Sequence, residues 1–490
     1  MIMAISRLKK GFCSKAKVGT VQFRFAQVFD LQTRLFMVVI RLFATVGGFP
    51  MVQEIDGFND SLWQQTAVLG PKTGLLTESK TCDVAIIGAG FTGLNAALDL
   101  AKTGHSVCVL EARTLGFGAS GRAGRQVNMG LNSGPKDLIS RYGQEQAERT
   151  IAMMQNTPRT LFERVQKHQL DCDPVQTGWI QSAVDAKVFG EQKALAKEYE
   201  AFGGGLEVLG KEELEQRSGA NGYVGGLFCP SAGSVQPLSY TRELARVAMA
   251  AGAEIFTDSP VKGLTQTGNG WELTIGSALK VKAGQVLVCT NGYTDDLVKG
   301  LKEKVVPIRS VLIATEPLSQ KLRSEILPNQ VTFVDKRRLI LYMRYDRDGR
   351  LCIGDHGPMR DIFYPSDFEA VKRRAVKVFP QLASVSWDFH WGGRVAMTMS
   401  HLPFLYEPKP GLITGMGYNG RGVGMGTVMG INLAKAARAR LDDQESTDLD
   451  FPFTSPRGYP FHRFHPLGAK IGIAWASLRD HWQENRGSQK

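Results

Sequence analysis

Residues 82–111, CDVAIIGAGFTGLNAALDLAKTGHSVCVLE, admit few folds. Val84 to Ile87 form an unbroken apolar run, the pattern of a parallel strand buried on both faces. Gly88, Gly90 and Gly93 follow in G-x-G-x-x-G spacing. Leu94, Ala97, Leu98 and Ala101 then repeat at helical intervals, and Gly104 marks the stop. A second apolar strand closes on Glu111. Gly88 permits the turn, Gly90 lets backbone approach a pyrophosphate, and Gly93 lets helix and strand pack closely. Phe91 and Thr92 open the helix, whose unpaired N–H groups and partial positive charge suit phosphate. Glu111, with Ala112 and Arg113 behind it, stands where an acid accepts hydrogen bonds from ribose hydroxyls. Strand, glycines, helix, strand and acid in this order define a Rossmann-like α/β unit for a dinucleotide. FAD and NAD both remain open.

Two further stretches favour FAD. GFGASGRAGRQ (116–126) places small residues directly after the second strand, where the chain can run along an extended ligand. Gly118, Ala119, Ser120 and Arg122 are its candidate contacts, and Arg122 is suited to a phosphate or a flavin pyrimidine edge. Far downstream, GLITGMGYNGRGV (411–423) runs from a strand through Gly417, Asn419, Gly420 and Gly422 into a helix rich in small residues. Backbone N–H groups at Gly422 and Val423 would face the negative charge that a flavin gains on reduction. The two glycine stretches thus bracket one long ligand, with Val261 and Thr290 near its adenosine end.

The chain of 490 residues, 43% apolar, is read as soluble and large enough for two or three domains. Its basic excess is concentrated in residues 1–50, where eight basic side chains face a single acid, Asp30. The body is only mildly basic, so no nucleic-acid partner is called for. The cysteines are scattered with no CxxC pair, which suggests neither zinc nor a disulfide framework and fits a cytoplasmic, reducing setting. Residues 1–50 are read as an extension ahead of a start at Met51, a targeting leader being the alternative. The apolar run 35–49 is too short to span a bilayer. Residues 51–80 form an N-terminal arm. Segments 81–170, 215–305 and 396–445 are assigned to the nucleotide domain. Segments 171–214 and 306–395 make an α+β substrate domain with an antiparallel sheet, and ALKVKAGQVLVCTNGYTD (278–295) is read as a hairpin followed by a buried strand, Val286–Cys289, and a polar turn at Asn291–Gly292. Residues 446–490 are expected to end in a helix bearing Leu467, Ile471, Trp475, Leu478 and Trp482 on one stripe.

Taken together, CDVAIIGAGFTGL, VLEARTLGFGASGRAGRQ, TNGYTD, WGGRVAMTMSHLP and GYNGRGV resemble the D-amino-acid oxidase superfamily of FAD-dependent amine oxidoreductases. Within it the likeness is greatest to γ-glutamylputrescine oxidase and its relatives. The resemblance implies oxidation of a C–N bond by hydride transfer to flavin N5. Imine hydrolysis follows, and the flavin is reoxidised by O2 or another acceptor. It also implies non-covalent FAD, because Arg122 and Ile340–Leu341 stand where some members attach the flavin. Arg394 falls where glycine-oxidase-like members hold the substrate carboxylate, although Val395 replaces the usual proline; a tie between two loops is the alternative role. Tyr342, Tyr345 and Trp391 are candidates for an aromatic cage around the amine, with Arg394, Tyr342 and Trp391 favoured for the catalytic site. His356 and His401 are candidate proton acceptors, and no metal is expected. An NAD-linked dehydrogenase and a flavin-binding partner without turnover are the competing functions.

Overall fold

The computed structural model describes residues 54–442 except 131–132, 269 and 338–339, together with 449–460 and a few positions between 462 and 472. The expectations for residues 1–50 and for the helical stripe of the tail lie outside the described residues.

Two eight-stranded sheets organise the chain. In the first, Lys80–Ile87 lies between Val107–Leu110 and Leu279–Val288, parallel to both. Glu254–Phe256 extends the parallel set on one side and Leu412–Met416 on the other. Alternate side chains explain the unbroken apolar run of the central strand. Val84 and Ile86 pack under helices with Leu94, Leu98, Leu244 and Met429. Ala85 and Ile87 join Val281, Val286, Phe404 and Met416 on the opposite face. Residues 278–295 do not contain the expected hairpin. Leu279–Val288 is one continuous strand, whose first half pairs with Gly270–Ile275 and whose second half pairs with Leu412–Thr414.

The second sheet runs in the order Trp387–Met397, Val306–Pro317, Arg350–His356, Leu341–Tyr345, Thr332–Asp335, Trp179–Ala183, Gly225–Cys229, Glu207–Gly210. It is antiparallel except where Thr332–Asp335 runs parallel to Trp179–Ala183. The sequence groups Gly225–Cys229 with the nucleotide segments; its pairing with Trp179–Ala183 puts it here instead. One face is covered by the helix Glu369–Val378, with Ile313, Phe333, Met343, Ile353, Val371 and Phe379 in its core. The other face carries Ser310, Val334 and Tyr342 and lines a cavity shared with the first sheet's helix N-termini.

Candidate active site

The two glycine stretches meet. Helix Phe91–Lys102 starts at Gly90 and helix Gly422–Leu441 starts at Arg421. They pack against each other because Gly426 and Gly430 leave room: a Cβ at Gly430 would lie 2.5 Å from the Thr92 carbonyl oxygen. Thr92 Oγ1 and Tyr418 Oη, 2.7 Å apart, fasten the two starts together. Both open onto one cavity of about 1390 Å3.

At its nucleotide end the walls are mostly backbone. Gly88 turns at φ +106°, and a Cβ at Gly93 would sit 2.0 Å from the Gly88 carbonyl oxygen. No side chain caps either helix at its own N-cap position, although Ser120 Oγ accepts the Phe91 N–H at 3.0 Å. Glu111 follows Val107–Leu110 directly, and its carboxylate accepts the N–H groups of Ala89 and Arg113 at 2.9 and 3.0 Å. Burial raises its pKa, opposed by those hydrogen bonds. Ala112, Arg113, Gly118, Ala119, Val261 and Thr290 share this stretch of wall. Arg122 lines it too, with its guanidinium 4.7 Å from the Phe117 ring and 5.3 Å from that of Phe58.

At the other end Asn419, Gly420, Gly422 and Val423 line the cavity, while Gly93 and Gly417 serve from behind it. Gly417 donates its N–H to Asn291 Oδ1 at 2.9 Å, and Asn419 Oδ1 accepts the Thr398 N–H at 2.9 Å. These bonds join the loop to the polar turn at 290–293 and to the second sheet. Arg421, half-buried, donates to the Met129 carbonyl and lies 5.5 Å from the Trp179 ring; desolvation lowers its pKa to about 10.

The cavity face of the second sheet is a row set by register. Val334 stands opposite both Tyr342 and Gln181, and Tyr342 opposite Gly354. Gly354 has no Cβ because the Tyr342 ring fills that space, with its Cζ only 2.0 Å from where the atom would be. Ser310 Oγ donates to the Asp355 carbonyl at 2.6 Å, so the Tyr342 phenol, 3.0 Å away, donates to Ser310. One lone pair of Tyr342 is left to accept. Burial pushes its pKa up to about 12, which keeps the phenol protonated.

Three expectations for this wall are corrected. Trp391 does not line the cavity: it is fully buried, donates Nε1–H to the Arg122 carbonyl at 3.3 Å and packs edge-on against Trp63. Tyr345, three residues from Tyr342 on a strand, falls on the opposite face and bonds to the Ile326 carbonyl. Arg394 reaches the cavity rim but points away from the Ser310–Tyr342 face. The strand's pleat sends Gly393 toward Arg122 and Gly392 toward Phe363, and Arg394 shares the face of Gly392. Its guanidinium is engaged by Asp361 at 2.6 and 3.0 Å, beside Arg309, which holds the same carboxylate. The guanidinium thus ties its strand to the segment at Asp361.

His356 lines the cavity, with its Nδ1 2.6 Å from Asp355 Oδ1. Arg374 donates to the other oxygen of Asp355. His401 is exposed at φ +55°, away from the cavity wall. Ser310, Gln181 and Lys336 also line the cavity, and the sequence does not single them out. Ser310 lies in an anticipated strand without a marked side chain, and Lys336 follows a four-residue strand, Thr332–Asp335, that gives no periodic signal.

Two helix N-termini, a glycine cradle that a Cβ would obstruct and an acid at the ribose position fit an elongated dinucleotide. The apolar and aromatic wall beyond fits a planar ring. This is the cavity of a dinucleotide-dependent oxidoreductase. The family model for FAD dependent oxidoreductase (DAO) matches residues 83–436, and the chain belongs to that family. It is 31% identical over 414 residues to the gamma-glutamylputrescine oxidoreductase of Escherichia coli, covering 83% of this chain and 94% of that one. It is 32% identical over 415 residues to a probable oxidoreductase, OrdL, of Haemophilus influenzae, with the same coverage of 83% and 94%. The solved glycine oxidase of Geobacillus kaustophilus shares the fold, with a TM-score of 0.63 at 22% identity over 76% of this chain and 96% of that one. Among the described residues, no helix is long and apolar enough to cross a membrane.

Proposed function

We propose that this FAD-dependent oxidoreductase oxidises the C–N bond of an amine. The substrate is of the γ-glutamylputrescine or amino-acid type, and O2 or another acceptor removes the electrons. The observation that supports this most is the Tyr342–Ser310 pair facing the start of helix Gly422–Leu441 across one cavity. When bound, FAD supplies the two-electron acceptor, held non-covalently by the segments around Gly90, Glu111, Ser120 and Val423.

The chain's own part is placement. Tyr342, protonated and already donating to Ser310, accepts an N–H from a neutral amine and so aims its nitrogen lone pair. The amides at Gly422 and Val423 present positive potential where negative charge accumulates. Trp179 and Val334, both buried, give the wall an apolar share that limits water. The tie of Asp361 to Arg309 and Arg394 leaves no free guanidinium fork there for an α-carboxylate, so the γ-glutamylputrescine type is favoured over an α-amino acid.

The test is an anaerobic panel of amines mixed with purified holoprotein. At least one diamine derivative should bleach the flavin absorbance, and admitted air should restore it with peroxide if O2 is the acceptor. A protein whose flavin stays oxidised with every amine contradicts the proposal. Acid precipitation should release all the yellow colour into the supernatant.

A further inference from the structure

Resting on the amine-oxidising reading, we infer that Lys336 recognises a carboxylate at the end of the substrate remote from the reacting carbon. Lys336 therefore selects long amino acids or acylated diamines over α-amino acids.

The cations of the substrate wall differ in what they already hold. Arg309 and Arg394 share Asp361, and Arg374 holds Asp355 with His356 on its other oxygen. Arg421 is half-buried and donates to the Met129 carbonyl. Lys336 is different. It lines the cavity, and among the described residues no carboxylate lies within ion-pair distance of it. Lys336 is exposed to solvent, and the protein around it lowers its pKa by partial desolvation, helped by the Arg421 charge and opposed by Glu191. A cation held beside a second cation at the cavity wall is a place where an anion is favoured.

Spacing gives the ligand its length. Val334 is directly opposite Tyr342. Lys336 lies two residues further along the chain, about 7 Å in extended backbone. An amine nitrogen at Tyr342 and a carboxylate at Lys336 must therefore be separated by several bonds, more than an α-amino acid offers. Val334, opposite Tyr342, lines this stretch of wall and suits a methylene chain.

The experiment compares 6-aminohexanoate with 1-aminohexane, which share a reactive end, on the holoprotein and its K336M and K336R variants. Turnover with O2 or a dye as electron acceptor gives kcat and KM, and calorimetry gives hexanoate binding to the oxidised holoprotein. For 6-aminohexanoate, K336M should raise KM by about 10- to 100-fold at unchanged kcat, and it should leave 1-aminohexane unaffected. It should weaken hexanoate by a similar factor, and K336R should recover most of both losses. Equal hexanoate affinity in K336M and the native protein overturns the inference, as does an equal loss for both amines. Should no amine bleach the flavin, the functional reading fails, while hexanoate binding still decides the role of Lys336.

Discussion

The nucleotide end of the cavity is built of backbone, and the facing wall is built of side chains on an antiparallel sheet. At the first end a ligand would meet amides whose positions follow from one strand, one turn and one helix, all within residues 80–102. At the second it meets Ser310, Val334, Lys336 and Tyr342, brought together by strand register. Local backbone tolerates almost no change in shape. A side-chain wall tolerates change in shape but is redefined by a change in charge. Substitutions at the two ends should therefore fail in different ways, by loss of fold at one and loss of selectivity at the other.

Gly93→Val should have the largest effect. The new Cβ would be 2.0 Å from the Gly88 carbonyl oxygen and 3.1 Å from Ile86 Cγ2, inside a strand–helix contact that neither side can yield. Overpacking of this kind costs at least about 3 kcal/mol, so the variant should be insoluble or melt well below the native protein, with no flavin retained. A folded, yellow G93V protein would show that the backbone end is more compliant than its geometry implies.

The same contrast governs what is legible in the sequence. The nucleotide unit can be read because each of its parts is local: an apolar run, three spaced glycines, a helical repeat and a terminal acid. The second glycine stretch is legible for the same reason, although its partnership with the first depends on Gly426 and Gly430, which look like ordinary helix residues in the sequence. The substrate wall is legible only as strands. Which face each side chain takes depends on pleat parity and register. One step of parity separates Arg394 from the cavity face, three separate Tyr345 from Tyr342, and Trp391 is sealed off by packing against Trp63. Lys336 escapes notice because a four-residue strand carries too few positions to show alternation.

Arg394→Ala tests that parity argument. A side chain aimed at substrate should, on removal, raise KM for a carboxylate-bearing amine by tenfold or more, about the worth of a charged hydrogen bond. From the position seen here, KM should change less than about twofold. Thermal stability should fall by under about 1 kcal/mol, since the pair with Asp361 is partly exposed and Arg309 keeps its own bonds to that carboxylate. A large KM effect would return Arg394 to the cavity face and erase the contrast between it and Tyr342.

The smallest effect expected is a pH dependence at Asp361. Burial opposes ionisation there, but hydrogen bonds from Arg394 and Arg309 outweigh it and hold the carboxyl at about 2, below its ordinary 3.8. A depressed carboxyl pKa stabilises the fold when the unfolded chain would bind the proton more readily. This contribution is complete above the unfolded value and is lost as pH falls from about 4 through about 2. With the Asp361 side chain 49% exposed, solvent screening reduces it to under about 1 kcal/mol. Asp361→Asn should therefore lower the melting temperature slightly near neutral pH. The gap to the native protein should narrow as the solution is acidified through that window, and it should also shrink at high salt. A gap that stays constant with pH would mean that Asp361 holds its loop by shape rather than charge, making the rim of the side-chain wall behave like the backbone end.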